Sequence, residues 1–379
     1  MAESNQALRV QVLGSCGATP DVVDELLAYG APPAGRAAVP VPVPLADEPH
    51  VDAWQDYEAQ ARHIGAINAL TPHFAQLRFP IEAGISGQDP YRRATRQGRF
   101  EEADAFQPGL AFRHPERIEL HVCETMGGRV PVLVAGDRED FVALVQAFTE
   151  RNEPVVVSPA MGACLVRGLN NWSRIGAYRR EWERMQGDAD GALWADEFRR
   201  LAERKDLYQD RLVILSSGPY SAVASADVGL QETDWLARSL VIRREHEFTH
   251  YFTYRVFGAI RSHVVDELIA DFVGLVHAFG RYRTDLALRF LGLESYPRSR
   301  ADGRLGIYRG QPPLSDAAMT IVGGLAVRAA RNLATIDAVH RVSASDLSAL
   351  GGLTLALFTL SLEELASADA LELVSRRLT

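Results

Sequence analysis

The residues best able to do chemistry lie in Arg244-Glu245-His246-Glu247-Phe248-Thr249-His250-Tyr251 and, a little further on, in Asp266-Glu267-Leu268-Ile269-Ala270-Asp271. On a helix His246 and His250, four residues apart, stack on one face, where two imidazoles can grip a single metal ion. Glu247, one residue along, can reach a water held at that ion and take its proton. Glu267 from the second segment would complete a two-histidine, one-glutamate set and leave a fourth position for water. Asp271, four residues beyond Glu267 on the same face, can accept the outer N–H of a ligand histidine and fix its tautomer. Together these groups are the equipment for metal-assisted hydrolysis.

Two helices must position them. Asp234 to Arg243 places apolar residues at helical spacing without Pro or Gly, which predicts a helix from about 233 to about 257, ending at Gly258. A second helical pattern starts at Ser262 or His263 and runs to Phe279, stopped by Gly280. So short a connection makes the pair an αα-hairpin, with Glu267 and His250 at comparable depth on facing helices. The plainer reading is a solvated charged face with Asp266-Glu267 favoured at a helix start. Phe248, Phe252 and Phe257 beside the histidines oppose it, because charged groups in apolar company need a metal or a partner.

His246-Glu247-Phe248-Thr249-His250 with Glu267-Leu268-Ile269-Ala270-Asp271 resembles the gluzincin, thermolysin-like, zinc metallopeptidases over about residues 210–280. The resemblance implies Zn2+ held by His246, His250 and Glu267, with Glu247 as general base and Asp271 as hydrogen-bonding support. Asp266 and His263 are the neighbouring alternatives for the third ligand. By the same resemblance the strand Arg211 to Tyr220 lies along the cleft and hydrogen-bonds an extended substrate backbone. Tyr220 would then steady the oxyanion, with Tyr251 and Tyr254 as further candidates. Tyr254 is four residues past His250, on the ligand face.

Composition sets the bounds. A chain of 379 residues with 47% hydrophobic and 23% charged residues has room for two domains and a real core. The boundary expected from the pattern divides an α/β N-terminal region, 1–160, from a zincin-like metal-binding region with C-terminal helices, 161–379. A net charge of −9 argues against nucleic acid or an anionic membrane as partner, since phosphate binding needs basic surface. The N-terminus lacks a basic segment followed by an apolar one, and Cys16, Cys123 and Cys164 are odd in number and far apart. Both features suit a cytoplasmic protein with reduced thiols.

The fold class expected is α+β. Residues 1–30 hold a short helix starting at Thr19-Pro20-Asp21, and Ala31 to Pro44 reads as an extended, proline-punctuated connector. A helical region from 50 to 76 breaks at Thr71-Pro72, and 86–107, with Tyr91-Arg92-Arg93-Ala94-Thr95-Arg96, reads as a basic loop able to meet a carboxylate or phosphate. Strands are expected at Arg117–Val122, Arg129–Val134, Val155–Val157 and from Arg211, with a helix at 139–149. Asn170-Asn171-Trp172 reads as a turn or pocket edge, and 177–207 as two amphipathic helices. Residues 281–313 give few periodic signals; helices follow to 377, including a buried apolar one at Leu350–Leu360 too short to span a bilayer.

The function these readings point to is a zinc-dependent hydrolase acting on a peptide or small-molecule amide. A second reading is a biosynthetic enzyme that processes an amide, ester or thioester of a small or carrier-bound intermediate. A third, a scaffold with a structural metal, leaves Glu247 without a purpose.

Overall fold

The computed structural model describes residues 2–30, 41–186, 193–258 and 263–378. In chain order its elements are helices α1 (Ala2–Ser15), α2 (Pro20–Tyr29), α3 (Val51–Ile64), α4 (Ala66–Leu70) and α5 (Asp89–Gln97), then strands β1 (Ile118–Cys123) and β2 (Val130–Ala135). Helix α6 (Arg138–Phe148), strand β3 (Ala163–Asn170), helices α7 (Trp172–Gln186) and α8 (Trp194–Glu203) and strand β4 (Gln209–Ser216) follow. The rest is helical: α9 (Ser225–Val228), α10 (Glu232–Phe257), α11 (Val264–Phe279), α12 (Thr284–Leu291), α13 (Asp316–His340), α14 (Leu347–Phe358), α15 (Leu362–Leu365) and α16 (Ala370–Leu378). The class is α+β, mostly helical with one small mixed sheet.

Packing divides the chain into a helical unit, residues 1–45, 125–127 and 219–379, and a sheet unit, residues 46–124 and 128–218. The division expected near residue 160 is not where contacts thin out. The N-terminal helices instead join the C-terminal ones. Arg9 of α1 donates from Nε and Nη2 to the carboxylate of Glu363 on α15, both at 3.2 Å and nearly buried. An ion pair spanning the whole chain leaves no trace in local sequence.

In the sheet unit the strand order is β1-β2-β4-β3. β1 runs antiparallel to β2, β2 parallel to β4, and β3 antiparallel to β4 with an irregularity at Gly168, whose φ is 82°. Trp54, Phe74 and Phe141 pack on Leu133 and Ile214 to form its core. Three expectations need correction here. Val155–Val157 is not a strand, and Val156 is 91% exposed. It follows Pro154, which has no N–H to donate, and the edge position goes to β3, which ends at Asn170, the first residue of the expected turn or pocket edge. Residues 86–107 are not a loop: α5 starts with Pro90 in its first turn and ends at Gly98 in the left-handed region, φ 72°. Finally, β4 is paired with β2 over Val213–Ser216 and with β3 over Gln209–Leu215, so its Val213–Leu215 stretch has no free edge for a substrate strand. Most of the proline-punctuated connector, residues 31–40, lies outside the described residues.

In the helical unit α10 and α11 form the expected hairpin, each ended by a left-handed glycine, Gly258 (φ 73°) and Gly280 (φ 71°). Within α11 every residue from Val264 to Val276 is buried, so the helix is covered all round. Its carboxylates therefore sit inside protein. A Cβ at Gly274 would stand 2.7 Å from the carbonyl oxygen of Ile242, so the two helices touch backbone to side-chain position there. Ile242 lies one turn before His246, and Gly274 three residues after Asp271. The Gly274→Ala variant is expected to prise the helices apart beneath the site, lowering stability by about 1–3 kcal/mol through overpacking and weakening metal retention. Thermal melts and zinc titration would check this, and a wild-type result in both would remove Gly274 from the account.

Candidate metal centre

The hairpin brings His246, His250 and Glu267 together, all buried, as a group able to hold a metal ion. Nε2 of His250 stands 3.1 Å from Nε2 of His246. Glu267 Oε2 is 3.4 Å from His246 Nε2, and Glu267 Oε1 is 3.5 Å from His250 Nε2. Two ligand atoms about 2.0–2.2 Å from one ion at the tetrahedral angle stand roughly 3.3–3.6 Å apart; the two histidine–carboxylate separations, made by different oxygens of Glu267, match that span, and the two histidine nitrogens stand slightly closer. Two neutral imidazoles with Nε2 atoms this close would otherwise oppose lone pairs or demand a proton between them. The residues fit a divalent cation. The alternatives are placed elsewhere: His263 stacks on Tyr29 with ring centroids 4.3 Å apart, and Asp266 lies outside the ligand group.

Support for the ligands is layered. His246 Nδ1 is 2.9 Å from Asp271 Oδ1, which fixes Nε2 as the atom free for the metal. Tyr220 donates to the same Oδ1 at 2.6 Å and lies 3.0 Å from His246 Nδ1. Arg304 closes the network, donating to Asp271 Oδ2 and, at 3.2 Å, to the Tyr220 hydroxyl oxygen. Tyr308 donates to Glu267 Oε2 at 2.9 Å. Arg304 and Tyr308 end one short 3-10 helix, Arg304–Tyr308, so a single element braces two of the carboxylates. Opposite this order stands His250 Nδ1, buried without a hydrogen-bond partner among the described residues.

Electrostatics follow from this layering. Burial opposes the charged forms of Glu267 and Asp271. The two histidines outweigh it at Glu267, and Arg304 with His246 at Asp271, holding both carboxyls below their ordinary range. Burial likewise disfavours a charged His246, but the carboxylates of Asp271 and Glu267 prevail and raise its pKa to about 10 in the metal-free protein. Burial, aided by Asp271, pushes the Tyr220 hydroxyl well above its ordinary value, so it remains a donor. Because the His246 pKa is raised, the proton's stabilising contribution is complete below about 6.5 and is lost as pH rises through about 10. A metal ion binding at Nε2 would have to displace that proton. Uptake near pH 8 is expected to release about one proton, and apparent affinity to rise by up to about tenfold per pH unit across that window. Calorimetry in two buffers of different ionisation enthalpy reads the proton directly, and no buffer dependence would contradict it.

Glu247 is half-buried, and its carboxylate has no hydrogen bond or ion pair among the described residues. Glu245, on the other side of His246, is by contrast buried and held by Arg244 at 2.8 Å, with His277 3.7 Å away. Of the two carboxylates flanking the ligand, only Glu247 is uncommitted. Tyr220 is not where an oxyanion donor belongs: its hydroxyl faces Asp271 behind His246. Two successive left-handed non-glycine residues, Ser221 (φ 52°) and Ala222 (φ 56°), follow it and turn the chain there. Tyr251 is fully buried, its ring 2.9 Å from where a Cβ on Gly127 would lie, and Tyr254 is half-buried one turn past His250. Arg304 and Tyr308 escaped the sequence reading. They lie in the segment without periodicity, and the only available signal was their four-residue spacing.

The chain belongs to the DUF7005 family, a family of unknown function whose model matches residues 11–369. No curated protein and no solved structure shows significant similarity to it. Among the described residues no helix is long and apolar enough to cross a membrane.

Proposed function

We propose that this member of the DUF7005 family is a zinc-dependent hydrolase of gluzincin type that cleaves an amide. The observation that carries the reading is the close, buried grouping of His246, His250 and Glu267 beside the uncommitted carboxylate of Glu247. Two imidazole nitrogens and one carboxylate oxygen, without thiolate, suit zinc in an open catalytic set. Zinc there would supply a Lewis acid and lower the pKa of water. Glu247 takes the proton of the attacking water and delivers it to the leaving amine. Asp271, backed by Arg304 and Tyr220, holds His246 in the ligating tautomer. Tyr254, four residues past His250 on the same helix, is the candidate for steadying the developing oxyanion.

The pairing of β4 on both sides over Val213–Leu215 favours a small-molecule or carrier-bound amide, ester or thioester over an extended peptide, because that stretch offers no free edge for strand addition. Among the described residues no disulfide joins Cys16, Cys123 or Cys164, which supports a cytoplasmic setting. Metal analysis by mass spectrometry on purified protein tests the centre. About one zinc per chain, absent from His246→Ala and Glu267→Ala, is expected; no metal in the wild type, or full retention in both variants, would end this reading. A panel of peptide, aryl-amide and thioester reporters then separates the substrate classes.

A further inference from the structure

The sheet unit contains a second candidate site that the hydrolase reading does not use. A cavity of about 190 Å³ is lined by Gln76, Thr95, Arg96, Arg151 and the apolar side chains of Phe148 and Leu169. Arg96 lies in the last turn of α5, and Arg151 just beyond the end of α6. Both are exposed, and neither makes a hydrogen bond or ion pair among the described residues; the same holds for the side-chain amide of Gln76. The negative ends of α5 and α6 favour cations there without occupying their N–H groups. Two arginines and a glutamine thus line one cavity with no hydrogen-bond or ion-pair partner for their side chains among the described residues.

The backbone is forced into place to achieve this. Arg151 (φ 55°) and Asn152 (φ 61°) are consecutive non-glycine residues in the left-handed region, a costly arrangement that persists only where surroundings impose it. The surroundings are visible. Asn152 is fully buried, and its Nδ2 donates to the carbonyls of Gln76 and Phe79, both at 3.0 Å. Its Oδ1 accepts from the Tyr91 hydroxyl at 3.1 Å. Asn152 therefore ties together the residues that carry Gln76 and α5, and its strained neighbour Arg151 is presented at the cavity.

We infer that this cavity binds a small molecule through an oxyanion head group, phosphate or carboxylate, gripped by Arg96 and Arg151 with its apolar part against Phe148 and Leu169. Guanidinium forks match both head groups, and a cavity of about 190 Å³ suits a small molecule. The site is independent of the metal centre. It is tested on the full chain by calorimetric titration with inorganic phosphate and with acetate, against sodium chloride at equal ionic strength. The His246→Ala variant is titrated in parallel to remove binding at the metal. Saturable binding is expected in both proteins, weakened roughly tenfold by Arg96→Gln and by Arg151→Asn; asparagine tolerates the left-handed backbone. Binding of phosphate alone or of acetate as well supports the site and identifies its head group. No binding beyond the chloride control, binding lost with His246→Ala, or affinity untouched by both arginine substitutions would overturn it.

Discussion

The Glu247→Gln protein is expected to hold its metal as the wild type does and to lose about 10²–10⁴-fold in turnover, the usual contribution of a positioned general base. The amide is nearly isosteric with the carboxylate, and Glu247 has no partner among the described residues whose loss could disturb the fold. It is also not one of the three metal-facing groups. Metal content and melting temperature should therefore stay put while activity on an amide or thioester reporter collapses. Glu245→Gln is the matched control. It removes a carboxylate equally close in sequence to His246 but committed to Arg244, so turnover should fall far less. A fully active Glu247→Gln enzyme would transfer the role of base elsewhere, whatever the metal content.

The second large effect is expected at Arg304. Its guanidinium compensates Asp271, which is fully buried, and the Tyr220 hydroxyl leans on it as well. Arg304→Met keeps much of the side-chain volume and leaves Asp271 with a buried charge answered by His246 and the Tyr220 hydroxyl alone among the described residues. Breaking a buried pair from one side costs about 3–5 kcal/mol, and loss of support behind a ligand histidine typically weakens metal binding about 10–100-fold. Urea unfolding of the metal-free protein and competition with a zinc chelator measure the two parts separately. Arg304→Lys should recover only a fraction, since one ammonium cannot serve Asp271 and Tyr220 with the fixed fork of arginine. Wild-type stability and affinity in Arg304→Met would mean that Asp271 needs no compensation, and the layered account of the centre would fail.

The sequence by itself determined the plan of the candidate metal centre. Residue spacing of four fixes which side chains share a helix face, and Gly258 and Gly280 end helices because they alone adopt the left-handed backbone cheaply. Hence the two helices, their ends, and the grouping of His246, His250 and Glu267 were all legible as local properties. The apolar helix at Leu350–Leu360 was legible for the same reason, as a run with only one place to go.

Only the tertiary structure decided the rest, because it depends on contacts between residues far apart in the chain. The strand at Arg211 was correctly placed, yet its interior position follows from pairing with β2 and β3, which no property of its own residues specifies. Tyr220 looked like an oxyanion donor from its position before the motif, but its hydroxyl is claimed by Asp271, fifty-one residues on. Arg304 carries no periodic signal, since a residue on a short 3-10 helix answers to its partner and not to a helix face. The N-terminal helices join the C-terminal unit through Arg9 and Glu363 for a like reason. Charge compensation and strand order are pairwise and long-range, whereas periodicity and capping are local. That difference separates what could be read along the chain from what had to be seen across it.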